Sequence, residues 1–439
     1  QGYNAQNAGN FEAVSSLHYS PPTKTVNWFH LGGINNPDPA DRQLFYEADF
    51  SKEYWQGDNS LLERSQATKD LLKSLAPHDR RDAYRAWRGS KLRTELYAAD
   101  ANGDFSSPLA QKPFTVTEAA FGIRQETFVH TSSPLSMTNA KAIFFSFSEA
   151  SRTTNWERGT EPKTSFSFTA DYDAYGQAQK QISIAVARGK DPLTGNNLSS
   201  TESGKHHEGG YLCTYAESSF IHKDESNTYI CDRLSEQKGF EVINDGNLSV
   251  FALRDSILND TATLSVIAHA LNYYDGNAFS GLALGSIGDY GALVRSETLL
   301  ITDEVISDAY GANVPECFKT TPDWSDSNGY PAAFEGELQN SDERLGYKDR
   351  RTGLPDHTPG WYAEVARMKY DFQEGSISNP VGLTLESKDV FENRSTVEYD
   401  DYGLMTVNAK QWLNATDYLE TVAEYDYRIL QPFKITDPN

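Results

Sequence analysis

Much of the chain alternates apolar and polar residues with the two-residue period of a half-buried β-strand. The alternation is clear after Gly89, first at 92–97 and 114–118. Further alternating segments follow at 143–147, 164–172, 180–187, 211–221 and 228–231, and the pattern resumes from 361 onward. We therefore predict a mainly β protein, built from antiparallel strands and hairpins.

Residues 60–88 show the clearest helical spacing of leucines. Ser60 and Glu63 fit a capping box at the start of a helix, and Asp79 is expected to cap a second one. Gly89 can adopt the left-handed conformation and is expected to end that second helix. This short helical segment is the main exception to the β pattern.

Three other segments depart from simple alternation. Residues 248–272 fit a helix, near 250–260, followed by a strand. Residues 189–209 are rich in Gly, Asn and Ser, which predicts a long loop. Asn102-Gly103 lies between two alternating segments, a pattern typical of a tight hairpin turn.

A short element recurs where predicted strands end. Full copies are Tyr172-Asp173-Ala174-Tyr175-Gly176 and Tyr399-Asp400-Asp401-Tyr402-Gly403, and partial copies are Tyr370-Asp371 and Tyr425-Asp426. The last three copies are spaced by roughly 25–30 residues, which is typical of stacked repeats. The Asp is expected to accept backbone N–H groups, the Gly to supply a left-handed residue, and the Tyr to stack on the neighbouring strand.

The candidate functional residues are the residues of these turns, and their expected role is structural. They are Tyr172, Asp173, Gly176, Tyr399, Asp400, Gly403, Tyr425 and Asp426. We expect valine to be strained at Gly176 and Gly403, and to be tolerated better at Gly210, outside any such turn. From Tyr425 onward we expect one strand, a bend at Pro432, and the start of a further turn.

The recurring turns resemble the YD repeats of Rhs proteins. Several stretches are also similar to the middle region and first YD repeats of the B component of bacterial insecticidal toxin complexes (Tc toxins). These stretches are Val26-Asn27-Trp28-Phe29-His30, Leu92-Arg93-Thr94-Glu95-Leu96-Tyr97, Pro113-Phe114-Thr115-Val116-Thr117-Glu118, Asp171-Tyr172-Asp173-Ala174-Tyr175-Gly176-Gln177, and Asp426-Tyr427-Arg428-Ile429-Leu430-Gln431-Pro432 with Thr436-Asp437-Pro438-Asn439. The resemblance covers most of 26–439 and is weakest at 189–245 and 313–360.

The resemblance implies a structural role in a secreted toxin. Such B components join a C component, itself an Rhs protein, in a hollow β-sheet shell that shields a cytotoxic effector before translocation. The implied partners are a C-component-like Rhs protein and the encapsulated effector. A pore-forming A component would be contacted through regions outside this chain.

The patterns and the resemblance together divide the chain into four parts. They are an entry segment with a short strand and helices (1–88), a β-rich middle region (89–312), an irregular Pro-rich insertion (313–360), and the start of a YD-repeat β-shell (361–439). We expect the chain to be a fragment whose last strand has an open edge that a continuation or a partner covers.

The charge narrows the classes of partner. The net charge of −23 and the pI of about 4.8 disfavour binding to nucleic acids and to anionic membranes, because both surfaces are negative. No apolar run approaches the roughly 20 residues that span a bilayer, so membrane insertion is not expected. Cys213 and Cys231 could bridge a hairpin in an oxidising compartment, or remain as buried thiols.

The sequence contains no motif that identifies a catalytic, cofactor-binding or metal-binding residue. The Gly-rich segment 285–291 lacks dinucleotide or P-loop spacing and predicts a tight turn between strands. Residues 100–104 suggest a calcium loop, but Phe105 stands where that loop needs Gly. His206, His207, Cys213, His222 and Cys231 are zinc-type ligands, without the spacing of a standard finger.

We therefore expect no enzymatic activity and no cofactor. The alternative is a secreted β-rich carbohydrate-active or carbohydrate-binding protein, in which Tyr and Trp side chains would stack on sugar rings. Carboxylates are abundant enough to allow a glycosidase pair, but no pair is singled out.

Overall fold

A computed structural model describes residues 22–35, 45–100, 103–126, 142–157, 159–197, 209–319, 321–323, 325, 346–352 and 354–438. Of these residues, 45% lie in strands and 12% in helices, so the predicted mainly β class is confirmed. Every strand pairing registered in this part of the chain is antiparallel.

The described strands are numbered in chain order. They are β1 (Thr23–Phe29), β2 (Ile34–Asn35), β3 (Phe45–Tyr46), β4 (Lys91–Ala98), β5 (Thr115–Glu126), β6 (Ile143–Asn155), β7 (Lys163–Tyr172), β8 (Ala178–Val186), β9 (Leu212–Asp224), β10 (Tyr229–Ile243), β11 (Thr263–Tyr274), β12 (Leu293–Thr302), β13 (Lys348–Asp349), β14 (Gly360–Tyr370), β15 (Thr384–Lys388), β16 (Arg394–Tyr399), β17 (Thr406–Trp412), β18 (Tyr418–Asp426) and β19 (Gln431–Thr436). The α-helices are α1 (Gln66–Ser74), α2 (Pro77–Ala86), α3 (Val250–Leu258) and α4 (Asp303–Tyr310).

The chain forms two compact units, each built from several segments. Unit 1 comprises Gln1–Thr169, Ile182–Cys213 and Asn244–Ala262, whereas unit 2 comprises Ala170–Gln181, Thr214–Ile243 and Thr263–Asn439. The division at residues 88, 312 and 360 stays a prediction.

In unit 1, strands β1, β4, β5, β6 and β7 pair in that order. Helices α1 and α2 contribute Leu72 and Ala83, and the residues directly after them contribute Leu75 and Trp87, to a buried cluster that includes Ile123 of β5. The indole N–H of Trp87 donates to the Gly122 carbonyl at 2.9 Å, which joins the helical segment to the sheet. Apolar burial on one helix face therefore holds this segment in place.

In unit 2, most strands pair with the next strand along the chain. The order is β9, β10, β11, β12, β14, β15, β16, β17, β18 and β19, with the short β13 beside β14. Such a meander reverses direction after every strand. The turn residues therefore set the position of each following strand.

The helical segment near 60–88 is confirmed, but both predicted caps are wrong. Helix α1 begins after Ser65, whose side chain accepts the N–H of Thr68. Helix α2 begins after Ala76 with Pro77 in its first turn, where a missing N–H costs nothing. Gly89 does adopt a positive φ of 88°, although α2 ends three residues earlier.

Some of the other local predictions are confirmed and others are wrong. Helix α3 and β11 confirm the helix-then-strand interpretation of 248–272, whereas α4 was not predicted. Strands β4 and β5 pair as expected, but a longer segment than a two-residue turn connects them. The bend expected at Pro432 is wrong, because the reversal occurs at 427–430 and Pro432 lies within β19.

Candidate functional site: the Tyr-Asp turns

The first candidate turn connects β7 to β8. Tyr172 is the last residue of β7, and the Oδ1 atom of Asp173 accepts the N–H groups of Tyr175 and Gln177, both at 2.9 Å. The Asp173 N–H donates to the Gln177 carbonyl at 3.0 Å. Gly176 has a φ of 87°, as predicted. One carboxylate thus satisfies the N–H groups of the loop while glycine makes the left-handed step.

The second candidate turn, between β16 and β17, is one residue longer. Tyr399 ends β16, and Asp400 Oδ1 accepts the N–H groups of Leu404 at 2.7 Å and Met405 at 3.1 Å. The Asp400 N–H donates to the Met405 carbonyl at 2.9 Å. Gly403 has a φ of 65°, again as predicted. The same two residue types therefore serve loops of unequal length.

The third candidate turn differs in its details. Tyr425 and Asp426 are the last residues of β18, and the Asp426 carbonyl accepts the N–H of Leu430 at 2.9 Å. Arg428 donates both its backbone N–H and its guanidinium to the Asp426 carboxylate, and these bonds lower the pKa of Asp426. Leu430, with a φ of 54°, stands at the left-handed position, so this turn closes without glycine.

Two further Tyr-Asp pairs close longer connections. Asp371, in the partial copy Tyr370-Asp371, accepts the N–H of Gly382 at 2.9 Å. Asp275, after Tyr274 at the end of β11, accepts N–H groups of the Gly-rich segment, including Gly291 at 3.0 Å. Both carboxylates are buried. Sequence analysis missed the pair at 274–275, whose signal was Tyr-Asp-Gly after an alternating run.

Related turns occur without a preceding tyrosine. Asp389 accepts the N–H groups of Phe391 at 2.8 Å and Asn393 at 2.9 Å, and Glu392 occupies the left-handed position with a φ of 66°. Asp100 accepts the N–H of Asp104 at 3.0 Å. The segment at 100–104 thus has the same Asp-based closure, which supports a turn instead of a calcium loop. Neither Tyr nor Gly marks the turn at Asp389, so the sequence motif could not reveal it.

The tyrosines of three such pairs connect neighbouring strands. Tyr274, Tyr370 and Tyr399 each donate the hydroxyl hydrogen to a backbone carbonyl of a strand paired with their own. The acceptors are Leu234 of β10, Leu293 of β12 and Thr384 of β15, at 2.8, 2.8 and 3.0 Å. Burial raises the pKa of all three hydroxyls, which therefore remain protonated donors at neutral pH.

A buried polar network in unit 2 is centred on Glu297 of β12. The Glu297 carboxylate is bonded to the imidazole of His357 at 2.8 Å, to Arg350 at 3.2 Å and to Arg295. Burial and the nearby Arg350 guanidinium lower the pKa of His357 to about 4. Two guanidiniums already balance Glu297, so a third positive charge is disfavoured and His357 stays neutral at pH 7.

His269 of β11 extends this polar region across the sheet. Its Nδ1 atom lies 2.8 Å from the Tyr362 hydroxyl and its Nε2 atom 3.0 Å from the Glu236 carboxylate. Burial lowers the pKa of His269 as well. These contacts link β10, β11 and β14, so the observed arrangement fastens strands to one another.

A second buried network lies in unit 1 and was not predicted. Arg152 bonds Asp58 at 2.7 Å and Glu118 at 3.0 Å, and Arg93 bonds Glu95 at 2.7 Å. All five side chains are buried. The carboxylates of Glu95 and Glu118 also accept backbone N–H groups from Trp55, Leu61 and Leu62. The network thereby holds the irregular segment 55–62 against the strands.

The residues weighed as metal ligands show no metal geometry where the structure describes them. His206 and His207 lie outside the described residues, and Cys213 and Cys231 are free thiols. Burial raises the pKa of Cys213 to about 12, so it is not a thiolate at neutral pH. In the described ranges, no group of three or more His, Cys, Asp or Glu side chains is arranged to hold a metal ion.

A cleft of about 460 Å³ beside α1 and α2 contains both basic and acidic side chains. Both of its carboxylates pair within the cleft, since Lys69 bonds Glu63 and Arg64 bonds Glu47. Burial alone would raise the pKa of Glu47, but hydrogen bonds from His30 and Arg64 lower it to about 2.

Among the helices that are described, none is long and apolar enough to cross a membrane.

Comparison with known proteins gives matches in sequence and in fold. Residues 82–232 match the family model of the insecticide toxin TcdB middle/C-terminal region. No curated protein matches the chain in sequence. The fold is similar to the crystal structure of TcdB2-TccC3, with a TM-score of 0.60 and 18% identity over 95% of this chain and 19% of that chain.

A second crystal structure, of TcdB2-TccC3-TEV, matches with a TM-score of 0.62 and 19% identity over 97% of this chain and 19% of that chain. The chain thus spans about a fifth of the length of the solved chains it matches. In sequence over 82–232, and in fold over nearly its whole length, the chain is similar to the B component of Tc toxins.

Proposed function

We propose that this chain is a structural segment of a toxin-encapsulating β-shell and that it catalyses no reaction itself. The supporting observation is the series of Tyr-Asp turns in unit 2, where three tyrosines donate to a neighbouring strand. A single hairpin buries little surface. Hairpins that bond to their neighbours are therefore suited to an extended repeat sheet. The similarity in fold to TcdB2-TccC3 supports the same role.

The proposed partner is a C component of the TccC type, an Rhs protein, together with the cytotoxic effector that the shell would shield. A pore-forming A component would be contacted through regions outside this chain, and the assembly would act after secretion. The net charge of −23 favours protein partners over nucleic acid.

The buried polar networks fit this structural role. A catalytic group must reach substrate, whereas Glu297, His269 and Arg152 are buried and bonded to neighbouring strands or segments. Each charged side chain in these networks has a partner of opposite charge or a hydrogen bond. The charged side chains therefore fix the positions of the strands.

Co-expression with an Rhs-type C component that retains its effector tests the proposal. We expect the chain and the C component to elute together in size-exclusion chromatography, and the effector to resist protease until urea unfolds the complex. Asp371→Asn should weaken co-elution, because Asp371 holds a buried turn, whereas Asp401→Asn, at an exposed position, should not.

Two results would refute the proposal. One is separate elution of the two proteins together with an effector that protease degrades at once. The other is turnover of a glycan panel by the isolated chain, abolished by a single carboxylate substitution, which would favour the carbohydrate-active alternative.

A further inference from the structure

Strands β11 and β12 pair along only part of their length. Their register runs from Tyr274↔Leu293 to Ala270↔Thr298. Beyond it, β11 continues to Thr263 along β10, whereas β12 continues to Thr302 along β14. The two strands therefore diverge and leave a wedge-shaped cleft within unit 2.

The cleft exposes two strand edges that face each other. Alternate residues of an antiparallel strand direct their N–H and C=O groups to opposite sides. Strand β10 covers one edge of 263–269 and β14 covers one edge of 299–302. No strand is registered along the two remaining edges within the part of the chain that is described. Unpaired edges of this kind are templates for another strand.

The size and lining of the cleft suit an extended peptide. Its volume is about 580 Å³, and consecutive residues of both strands, 263–267 and 299–302, line it together with α4. Because consecutive residues of both strands line the cleft, it opens between the edge of β11 and the edge of β12. Four residues of strand span about 13 Å at 3.3 Å per residue, so the cleft accepts a short strand.

Apolar side chains are exposed around this cleft. Ile243, Ile267, Leu300 and Val305 are 54%, 54%, 49% and 50% exposed and all line it. Single exposed apolar residues are ordinary, but a contiguous group beside open strand edges marks an interaction surface. The carboxylates of Glu241, Glu304 and Asp308 also line the cleft, with no basic residue in its lining. The expected occupant is therefore apolar with positive ends.

We propose that this cleft binds an extended segment of a partner protein as an added β-strand between β11 and β12. The segment has apolar residues at alternate positions and Lys or Arg at its ends. Main-chain hydrogen bonds to the two edges would supply affinity, and the apolar and acidic lining would select the sequence. The proposal goes beyond the shell function and rests on the cleft alone.

Titration of the full chain with a fluorescein-labelled peptide, Lys-Val-Thr-Val-Thr-Val-Lys, tests the proposal by fluorescence anisotropy. We expect saturable binding that weakens as salt rises. The matched peptide Lys-Val-Pro-Val-Pro-Val-Lys lacks two N–H donors and should bind at least tenfold more weakly. Equal binding of the two peptides, or no saturable binding of the first, would overturn the strand-addition proposal.

Two protein variants locate the binding site. Ile267→Lys places a positive charge in the cleft and should raise the Kd at least tenfold. Val365 is similarly exposed, at 50%, but lies outside the cleft lining, so Val365→Lys should leave the Kd unchanged. Circular dichroism verifies that both variants fold. If both variants bind the peptide like the original chain, the peptide binds elsewhere and the proposal is wrong.

Discussion

The buried charges of unit 1 and the Tyr-Asp turns of unit 2 both hold irregular segments in place against strands. They do so over different distances along the chain. Arg152 bonds Glu118, 34 residues earlier, and holds a segment that lies farther away still. Asp400 instead bonds N–H groups four and five residues later. Local contacts of the second kind can be copied as a short motif, whereas contacts of the first kind join residues far apart in the chain and leave no motif.

The two regions should also differ in how they fail. A buried ion pair that loses one partner leaves a charge without compensation in a poorly hydrated site. A turn that loses a hydrogen bond or strains one residue retains its other bonds, so its loss is smaller.

Arg152→Met should lower the free energy of unfolding by about 3–5 kcal/mol, because the buried carboxylates of Asp58 and Glu118 would lose the positive charge that balances them. Urea unfolding followed by tryptophan fluorescence measures the loss. Arg188→Met is the matched control, since Arg188 pairs with Glu157 at an exposed position and should cost less than about 1 kcal/mol. Similar losses in both variants would remove the distinction between buried and exposed pairs.

The buried histidines make unit 2 sensitive to acid. The folded-state pKa of His357 is about 4, below its ordinary value of 6.5, so the unfolded chain takes up the proton first as pH falls. Stability is therefore full above pH 6.5 and declines toward pH 4. Between pH 7 and pH 5, this residue should account for about 2 kcal/mol.

Comparison of the original chain with His357→Gln isolates the contribution of His357 to the pH dependence of stability. The variant should lose less stability on acidification than the original chain, by that same amount. His78→Gln alters an exposed histidine outside the buried network and is the matched control. If the pH dependence of unfolding is the same in all three proteins, the neutral buried imidazole is not the cause.

Valine at Gly176 or Gly403 should cost about 1–3 kcal/mol, because a β-branched residue is strained at their positive φ. Gly210 is not the tolerant control expected from sequence, since a Cβ there would collide with the Asn244 carbonyl. Gly375 is the proper control, because it has no positive φ and a Cβ would meet open space. Thermal unfolding of the three variants should separate the turn glycines from Gly375.

Sequence alone could predict whatever depends on neighbours along the chain. Strand alternation, the left-handed glycines at 176 and 403, and the helix at 250–258 all follow from local patterns. Helix α1 begins after Ser65 although Ser60 and Glu63 satisfy the capping pattern, because the backbone N–H groups of Leu61 and Leu62 donate to Glu118 and hold that segment outside the helix.

The remaining features depend on contacts between distant residues. The Arg152 network combines ordinary charged residues whose spacing carries no motif, and the acceptors of the tyrosine hydroxyls are backbone carbonyls. The pair at 274–275 was overlooked because its connection is much longer than a hairpin loop. A local motif therefore identified the turn residues but not the strands that they join.

The stability of three tyrosine variants tests most directly whether the Tyr-Asp pairs are one repeated unit. Tyr274→Phe, Tyr370→Phe and Tyr399→Phe each remove a single hydroxyl bond to a neighbouring strand. We expect each variant to lose about 1 kcal/mol of unfolding free energy and the triple variant to lose about the sum. A loss confined to one site, or no loss at any site, would contradict a shared role for these tyrosines.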